Sequence, residues 1–330
     1  MSWAYHLYLA SQQKHGRLEG MSQTEDFFKI RLNSIHPSSP VTFDVYIPVH
    51  QKMVHYLRAG DSLTADKIAS FERKFVTSVY VHSSQRQLYR DYVYSQMNSS
   101  SLAPQDKASI LRESSMAMLE ELFESPEVGP ALKEAKNVIN NFVSFMDQEP
   151  EAMGHLISLS GHDFYTYNHS LDVCIYSLGV AQAVGYEGDE LKELGEGALL
   201  HDIGKRHVSV DIICKDGPLD DMEWAQMQKH PEFGLIILNE HDVSEAIKAC
   251  CFEHHENFLG NGYPQQLDGE EIHPMARIVA LTDTYDALTT KRSYNKPMAP
   301  KDAVMFMKEK LFTRYDKDLL EAMHQALFRL

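Results

Sequence analysis

The stretch GALLHDIGK, residues 197–205, decides how this chain is read. It closes the helical run ELGEGALL (193–200) and leads into RHVSV (206–210), which is less helical in character. His201 and Asp202 therefore stand side by side at a helix end. Adjacent helical residues point about 100° apart, so the two side chains reach two sides of one point. A carboxylate has two oxygens, which suits it to sharing between two metal ions. Lys205 comes one turn after His201, where an ammonium can hold a phosphate oxygen as a point charge.

Further donors of the same kind lie along the chain. His169 falls in YTYNHSLDV on an expected helix, and His230 in MQKHPEFG, where Pro231 marks a helix break. His254 and His255 open HHENFLGNGYP (254–264), and Asp283 follows an apolar run in IVALTDTYDAL. Asp283 and Asp286 form a DxxD pair, a pattern that on its own is often just helix capping or a solvated face. Five histidines and two aspartates without cysteine suit iron, manganese or similar divalent ions better than structural zinc. Two such ions sharing a carboxylate also hold a hydroxide between them, the usual equipment for in-line attack on a phosphodiester.

The totals set limits on the class of protein. A chain of 330 residues has room for two domains and a sizeable core. Apolar residues make up 43% and charged residues 24%, an ordinary globular balance. The formal charge of −16 argues against DNA or RNA as a partner, while a local cluster of metal ions and Lys or Arg still admits a small anion. No apolar run approaches the ~20 residues of a membrane span, and the N-terminus lacks the pattern of a secretory signal. The expectation is a cytoplasmic protein with no membrane insertion. Its four cysteines, Cys174, Cys214, Cys250 and Cys251, form no CxxC pair and read as reduced thiols.

Organisation changes along the chain. Residues 1–24 read as a flexible extension. From 25 to 97 the segments FFKIRLNSI, VTFDVYIPV, KMVHYLRAGD and VTSVYVHS carry strand character. Between and after them TADKIASFERKF, capped by Thr64 or Asp66, and SQRQLYRDYVYSQM have helical spacing. This is a small α/β module, regulatory or sensory by analogy, without a motif that carries chemistry. Residues 98–149 hold a polar linker, NSSSLAPQ, and connecting helices, with the apolar stripe of NVINNFVSFM packing onto the following core. Residues 150–330 read as helices joined by short loops, so the fold class is mostly α.

From YTYNHS through GALLHDIGK, VDIICKDGPLDDMEW, KHPEFGLIIL, EHHENFLGNGYP and LDGEEI to ARIVALTDTYDALTTKRSYNK, the segments stand in one order over about 150–300. Here the sequence resembles the HD-GYP domains, a branch of the HD phosphohydrolase superfamily whose members hydrolyse cyclic di-GMP. The resemblance implies an HD-type, all-helical C-terminal domain. It implies a first metal held by His169, His201, Asp202 and Asp283. Asp202 would bridge to a second held by His230, His254 and His255. Iron is the implied metal, with manganese next. Lys205 would contact the scissile phosphate, Arg292 and Lys296 the substrate phosphates, and Tyr263 would line the cleft or face a signalling-protein partner. The implied reaction is hydrolysis of cyclic di-GMP to pGpG, and onward to GMP, by a metal-bridging hydroxide. The alternatives are a metal-bearing receptor with little turnover, or a phosphohydrolase of another nucleotide.

The chain departs from the family pattern at four places. Leu259 stands where HHExxDGxGYP has aspartate, and Gln266 where PxGL has glycine. Asn295 replaces a common basic residue, and Tyr165 occupies the position of a glutamate that supports a third metal in some members. Two metals are therefore expected.

Overall fold

The computed structural model describes residues 26–37, 39–50, 52–125, 127–149, 151–160, 166–290 and 296–328. The extension expected at 1–24, and Tyr165, Arg292 and Asn295, lie outside the described residues. The chain divides into two compact units, Met1–Glu120 with Asp147–Leu159, and Glu121–Met146 with Ser160–Leu330. Of the segment 98–149, residues 98–120 and 147–149 fall in the first unit and residues 121–146 in the second.

The first unit holds a four-stranded antiparallel sheet. Its strands are β1 (Phe27–Arg31), β2 (Val45–Val49), β3 (Lys52–Leu57) and β4 (Ser78–His82), in the order β1-β4-β2-β3. β1 and β4 alternate in burial, so Phe28, Ile30, Val79 and Val81 face the core while their neighbours do not. The strand expected from Val41 begins only at Val45, because the backbone before it is bonded elsewhere: Val41 N donates to Asp61 O at 2.9 Å and Asp44 N to Gln85 Oε1 at 2.8 Å. Helix α1 (Ala65–Arg73) starts at Thr64, whose hydroxyl accepts from Lys67 N. Helix α2 (Arg86–Met97) covers the sheet's apolar face with Tyr89, Tyr92 and Val93.

Two long helices follow, α3 (Pro104–Glu124) and α4 (Gly129–Gln148), then the short α5 (Ala152–Ser158). In the second unit α4 packs against α7 (Gly188–Leu200), where Ile139 closes on Gly195. The helix between them in the core is α6 (Thr166–Ala183). Leu171, Val173, Cys174, Ile175, Leu178 and Val180 on α6 are fully buried, and a helix apolar on all sides belongs inside. After α7 come the one-turn α8 (Val210–Ile213), α9 (Asp221–Met227), α10 (His230–Asn239), α11 (Glu245–Glu253), α12 (Pro274–Thr289), α13 (Pro300–Lys310) and α14 (Lys317–Phe328). The starts follow the sequence. Asp220 and Glu223 form a capping box on α9, Ser244 caps α11, and α10 and α12 carry proline in the first turn.

The unit closes because one glycine lets two elements touch. A Cβ on Gly204 would lie 1.9 Å from the His230 carbonyl oxygen and 2.4 Å from Gly234 N. Only glycine allows the turn after Asp202 to approach the start of α10 this closely. Just beyond it, the Arg206 guanidinium donates to the Leu122 and Ser125 carbonyls at the end of α3. Phe123 meets Tyr167 with ring centroids 5.6 Å apart, and the Tyr167 hydroxyl lies 3.0 Å from Glu124.

Candidate metal centre

Three of the expected donors stand at helix ends. His201 follows the last turn of α7, His230 is the first residue of α10, and His254 follows the last turn of α11. The backbone carbonyls in the last turns of α7, of α9 just before His230, and of α11 lack helical partners. Each imidazole uses one of them. Nδ1 of His201 donates to Ala198 O at 2.8 Å, Nδ1 of His230 to Met227 O at 2.8 Å, and Nδ1 of His254 to Cys251 O at 2.9 Å. A carbonyl can only accept, so the proton sits on Nδ1 and each Nε2 keeps its lone pair. All three Nε2 atoms turn toward Asp202.

Asp202 is the hub. Its Oδ1 lies 3.2 Å from His230 Nε2 and 3.8 Å from His254 Nε2. Its Oδ2 lies 3.4 Å from both His169 Nε2 and His201 Nε2, and pairs with the Lys205 ammonium. Lys205 itself sits in a 3-10 turn, Ile203–His207, not on a continuation of α7. His169 rises from the first turn of α6, and Asp283 lies within α12. Asp283 Oδ1 is 3.2 Å from His169 Nε2, and its Oδ2 is 3.9 Å from His255 Nδ1. His169, His201, Asp202, His230 and His254 are all buried, while His255 and Asp283 border the surface.

The donor atoms fall into overlapping groups whose members lie within 4.8 Å of one another. These are His169, His201 and Asp283; His230, His254 and His255; and His201, Asp202 and His254. The chemistry of the set fits divalent cations. His230 Nε2 and His254 Nε2 are 3.1 Å apart. With both Nδ1 protons committed to carbonyls, two lone pairs face each other, an arrangement a cation relieves. His201 Nε2 and Asp202 Oδ1 are buried with no hydrogen-bond partner among the described residues.

The electrostatics hold His230, His254, His255, Asp202 and Asp283 in their ligating forms. Burial pushes the His230 imidazole down to about 3 and the His255 imidazole down to about 4, and carries His254 well below the ordinary value. All three are therefore neutral. Burial opposes ionisation of Asp202, but the Lys205 ammonium beside it outweighs that and holds the carboxyl well below the usual range. Asp283 is held low in the same way, chiefly by His169. His169 runs opposite: burial disfavours its charge, yet bonds to Asp202, Asp283 and Asp286 raise it well above an ordinary imidazole.

The loop after His255 lines one edge of this cluster. Tyr263 stacks on His255, with centroids 4.6 Å apart and planes 29° apart, and Trp224 meets Tyr263 edge-on at 6.3 Å. The glutamate of HHE is the anchor of this loop. Glu256 is buried, and its carboxylate accepts from Gln265 N, Gln266 N and Leu267 N at 2.6, 3.0 and 3.1 Å. Gly262 is required beneath it, since a Cβ there would stand 2.5 Å from Glu256 Cα. Lys296 is exposed, as is Leu259.

Sequence reasoning missed two residues here. Asp286, visible in the sequence only as part of a DxxD pair, is fully buried with Oδ2 2.7 Å from His169 Nδ1. Its spacing from Asp283 was the available signal, because i and i+3 share a helix face. Glu256 was visible only as part of HHE.

Comparison with known proteins agrees with this geometry. The family model described as HD domain matches residues 151–319. A cyclic di-GMP phosphodiesterase of Pseudomonas aeruginosa is 33% identical over 205 residues, 61% of this chain and 50% of that protein. A 3′3′-cGAMP-specific phosphodiesterase of Vibrio cholerae is 36% identical over 163 residues, 49% of this chain and 35% of that protein. The chain thus matches half or less of the length of these relatives. Among solved structures, Bd1817, an HDG"Y"P protein from Bdellovibrio bacteriovorus, shares the fold with a TM-score of 0.72 at 22% identity, covering 92% of this chain and 99% of that one. The matched segment, which spans just over half of the chain and contains the buried His and Asp cluster, makes this chain a member of the HD-domain family.

Proposed function

We propose that the chain is a binuclear-metal phosphodiesterase acting on cyclic di-GMP or a closely related cyclic dinucleotide. The observation that carries this reading is the shared carboxylate. Asp202 Oδ1 faces His230 and His254, while Oδ2 faces His169 and His201. One position would use His169, His201, Asp283 and Asp202, the other His230, His254, His255 and Asp202. Two divalent ions bound there, iron first and manganese next, would supply an activated water and neutralise phosphate charge. The chain's own groups do the rest. Lys205, partly exposed beside Asp202, binds a phosphate oxygen of the substrate. Tyr263, held against His255, offers an aromatic wall to a nucleotide in the cleft. Arg292 and Lys296 are the proposed further phosphate contacts. The choice of a cyclic dinucleotide rests on the relatives named above and on the family motifs. The first unit serves as regulatory input, and the exposed Leu259 side of the loop as a place for a signalling partner.

The test is an anaerobic assay of the chain loaded with Fe(II) or Mn(II), given cyclic di-GMP and 3′3′-cGAMP in parallel, with Asp202→Ala alongside. Linear dinucleotide or mononucleotide is expected from the native chain, with at least a ~100-fold loss in Asp202→Ala. Which substrate turns over faster assigns the specificity. Two metals bound without any product would replace this reading by that of a metal-bearing receptor, motivated by Leu259 and Gln266.

A further inference from the structure

The four buried imidazoles of the centre are not held alike. His201, His230 and His254 each give their Nδ1 proton to a backbone carbonyl. Nδ1 of His169 lies 2.7 Å from a carboxylate oxygen of Asp286. Asp286 is completely buried, and its other oxygen accepts from the Thr290 hydroxyl at 3.1 Å. On α12, Asp283 and Asp286 stand at i and i+3, and Thr290 is the extended residue that ends the helix, so one helix face carries a donor and the group behind a donor, and the helix end carries that group's own support. A carboxylate behind an imidazole fixes the ring's tautomer and orientation and raises the basicity of its Nε2 more than a neutral carbonyl does.

Charge adds to the difference. The His169, His201 and Asp283 group contains a carboxylate of its own and has Asp286 behind it. The His230, His254 and His255 group contains three imidazoles. Asp202 offers one oxygen to each side, so it does not distinguish them.

We propose that the two metal positions are inequivalent, and that Asp286 is the positioning residue that makes the His169–His201–Asp283 position the tighter and first-filled one. The proposal rests on the metal-centre reading above and not on the choice of substrate. Asp286 acts through His169 and touches no metal or substrate itself.

The test is titration of the metal-free full-length chain with Mn(II), following bound metal by calorimetry and free metal by its electron paramagnetic resonance signal. The native chain is expected to fill in two unequal steps. Asp286→Asn should weaken the tighter step by about 10–100-fold and leave the other within about threefold. His254→Asn should remove the weaker step and keep the tighter one. If Asp286→Asn does not fold, Thr290→Val keeps the carboxylate and removes only its support, and should weaken the same step by a few-fold. A merely structural role for Asp286 would lower the melting temperature of the metal-free chain without separating the two steps. Two equal steps in the native chain, a tight step unchanged in folded Asp286→Asn, or equal weakening of both steps would overturn the proposal. A native chain that binds no Mn(II) would overturn the metal-centre reading and this inference with it. Metal binding as described, without turnover, would overturn the phosphodiesterase alone and support the inference.

Discussion

Gln266 has φ of 58°, in the left-handed region where a Cβ is unfavourable. The family pattern has glycine at this position, and the backbone shows why. The residue must turn the chain so that the amides of Gln265, Gln266 and Leu267 all point at Glu256. Glutamine meets that demand at a conformational cost of about 1–2 kcal/mol, of which glycine's greater freedom in the unfolded chain takes back part. Gln266→Gly is therefore expected to stabilise the chain by about 0.5–1 kcal/mol, read as a higher urea midpoint at unchanged m-value. A lower midpoint would mean that the glutamine side chain contributes more than its backbone costs. Leu259, the other departure in this loop, lies 53% exposed and takes no part in that hydrogen-bond set.

Among elements, the loop from Asn257 to Asp268 depends on one buried carboxylate. Glu256 satisfies three successive backbone donors, and the stacking of Tyr263 on His255 follows from the path they impose. Glu256→Ala should destabilise the chain by about 2–3 kcal/mol, since buried donors lose a charged acceptor. Limited proteolysis should then cut fastest within 259–266. The Mn(II) steps should persist, because the helix ends that aim His230 and His254 lie outside this loop. Loss of both steps would mean that the loop also places the donors. The α3 terminus is tied in a comparable way, through Arg206 beside Lys205 and Tyr167 near His169.

For the whole molecule, the centre sets the Nε2 lone pairs of His230 and His254 against each other at 3.1 Å, an arrangement that bound cations relieve. Metal loading should therefore stabilise the second unit, by roughly 2.7 kcal/mol per site at free metal one hundred times the dissociation constant. Chelation should lower the melting temperature accordingly. Acid should act on the metal-free chain in a defined window. His230 and His255, neutral in the folded chain down to about 3 and 4, titrate near 6.5 when unfolded. Between those limits the unfolded state binds more protons, so their contribution is full above 6.5 and is lost as pH falls. His169 opposes this, contributing below 6.5 and losing its contribution as pH rises through its raised value. His169's contribution is already present below 6.5, so the three lowered imidazoles set the expected result, a fall in melting temperature from pH 6.5 to 5. A rise over that interval would mean that these imidazoles do not stay neutral in the folded chain. No helix among the described residues is long and apolar enough to cross a membrane.

The sequence by itself determined the class of fold, and it named seven residues whose side-chain donor atoms the structure brings together. Helical periodicity, caps and prolines are local, so α2, α6, α7 and α12 were legible from spacing. So was the pairing of His201 with Asp202 at a helix end, because neighbours in sequence are neighbours in space. What lies behind each donor was not legible. The carbonyls of Ala198, Met227 and Cys251 are named by no motif, and DxxD alone does not say whether Asp286 faces water or His169. The glycine of HDIGK reads as a turn until the His230 carbonyl is seen 1.9 Å from where its Cβ would be. These facts depend on elements far apart in the chain meeting at set distances. Only packing around α6 and α12 brings residues 169, 202, 230, 254 and 283 to one point, and only that packing makes one of the four buried imidazoles different from the rest.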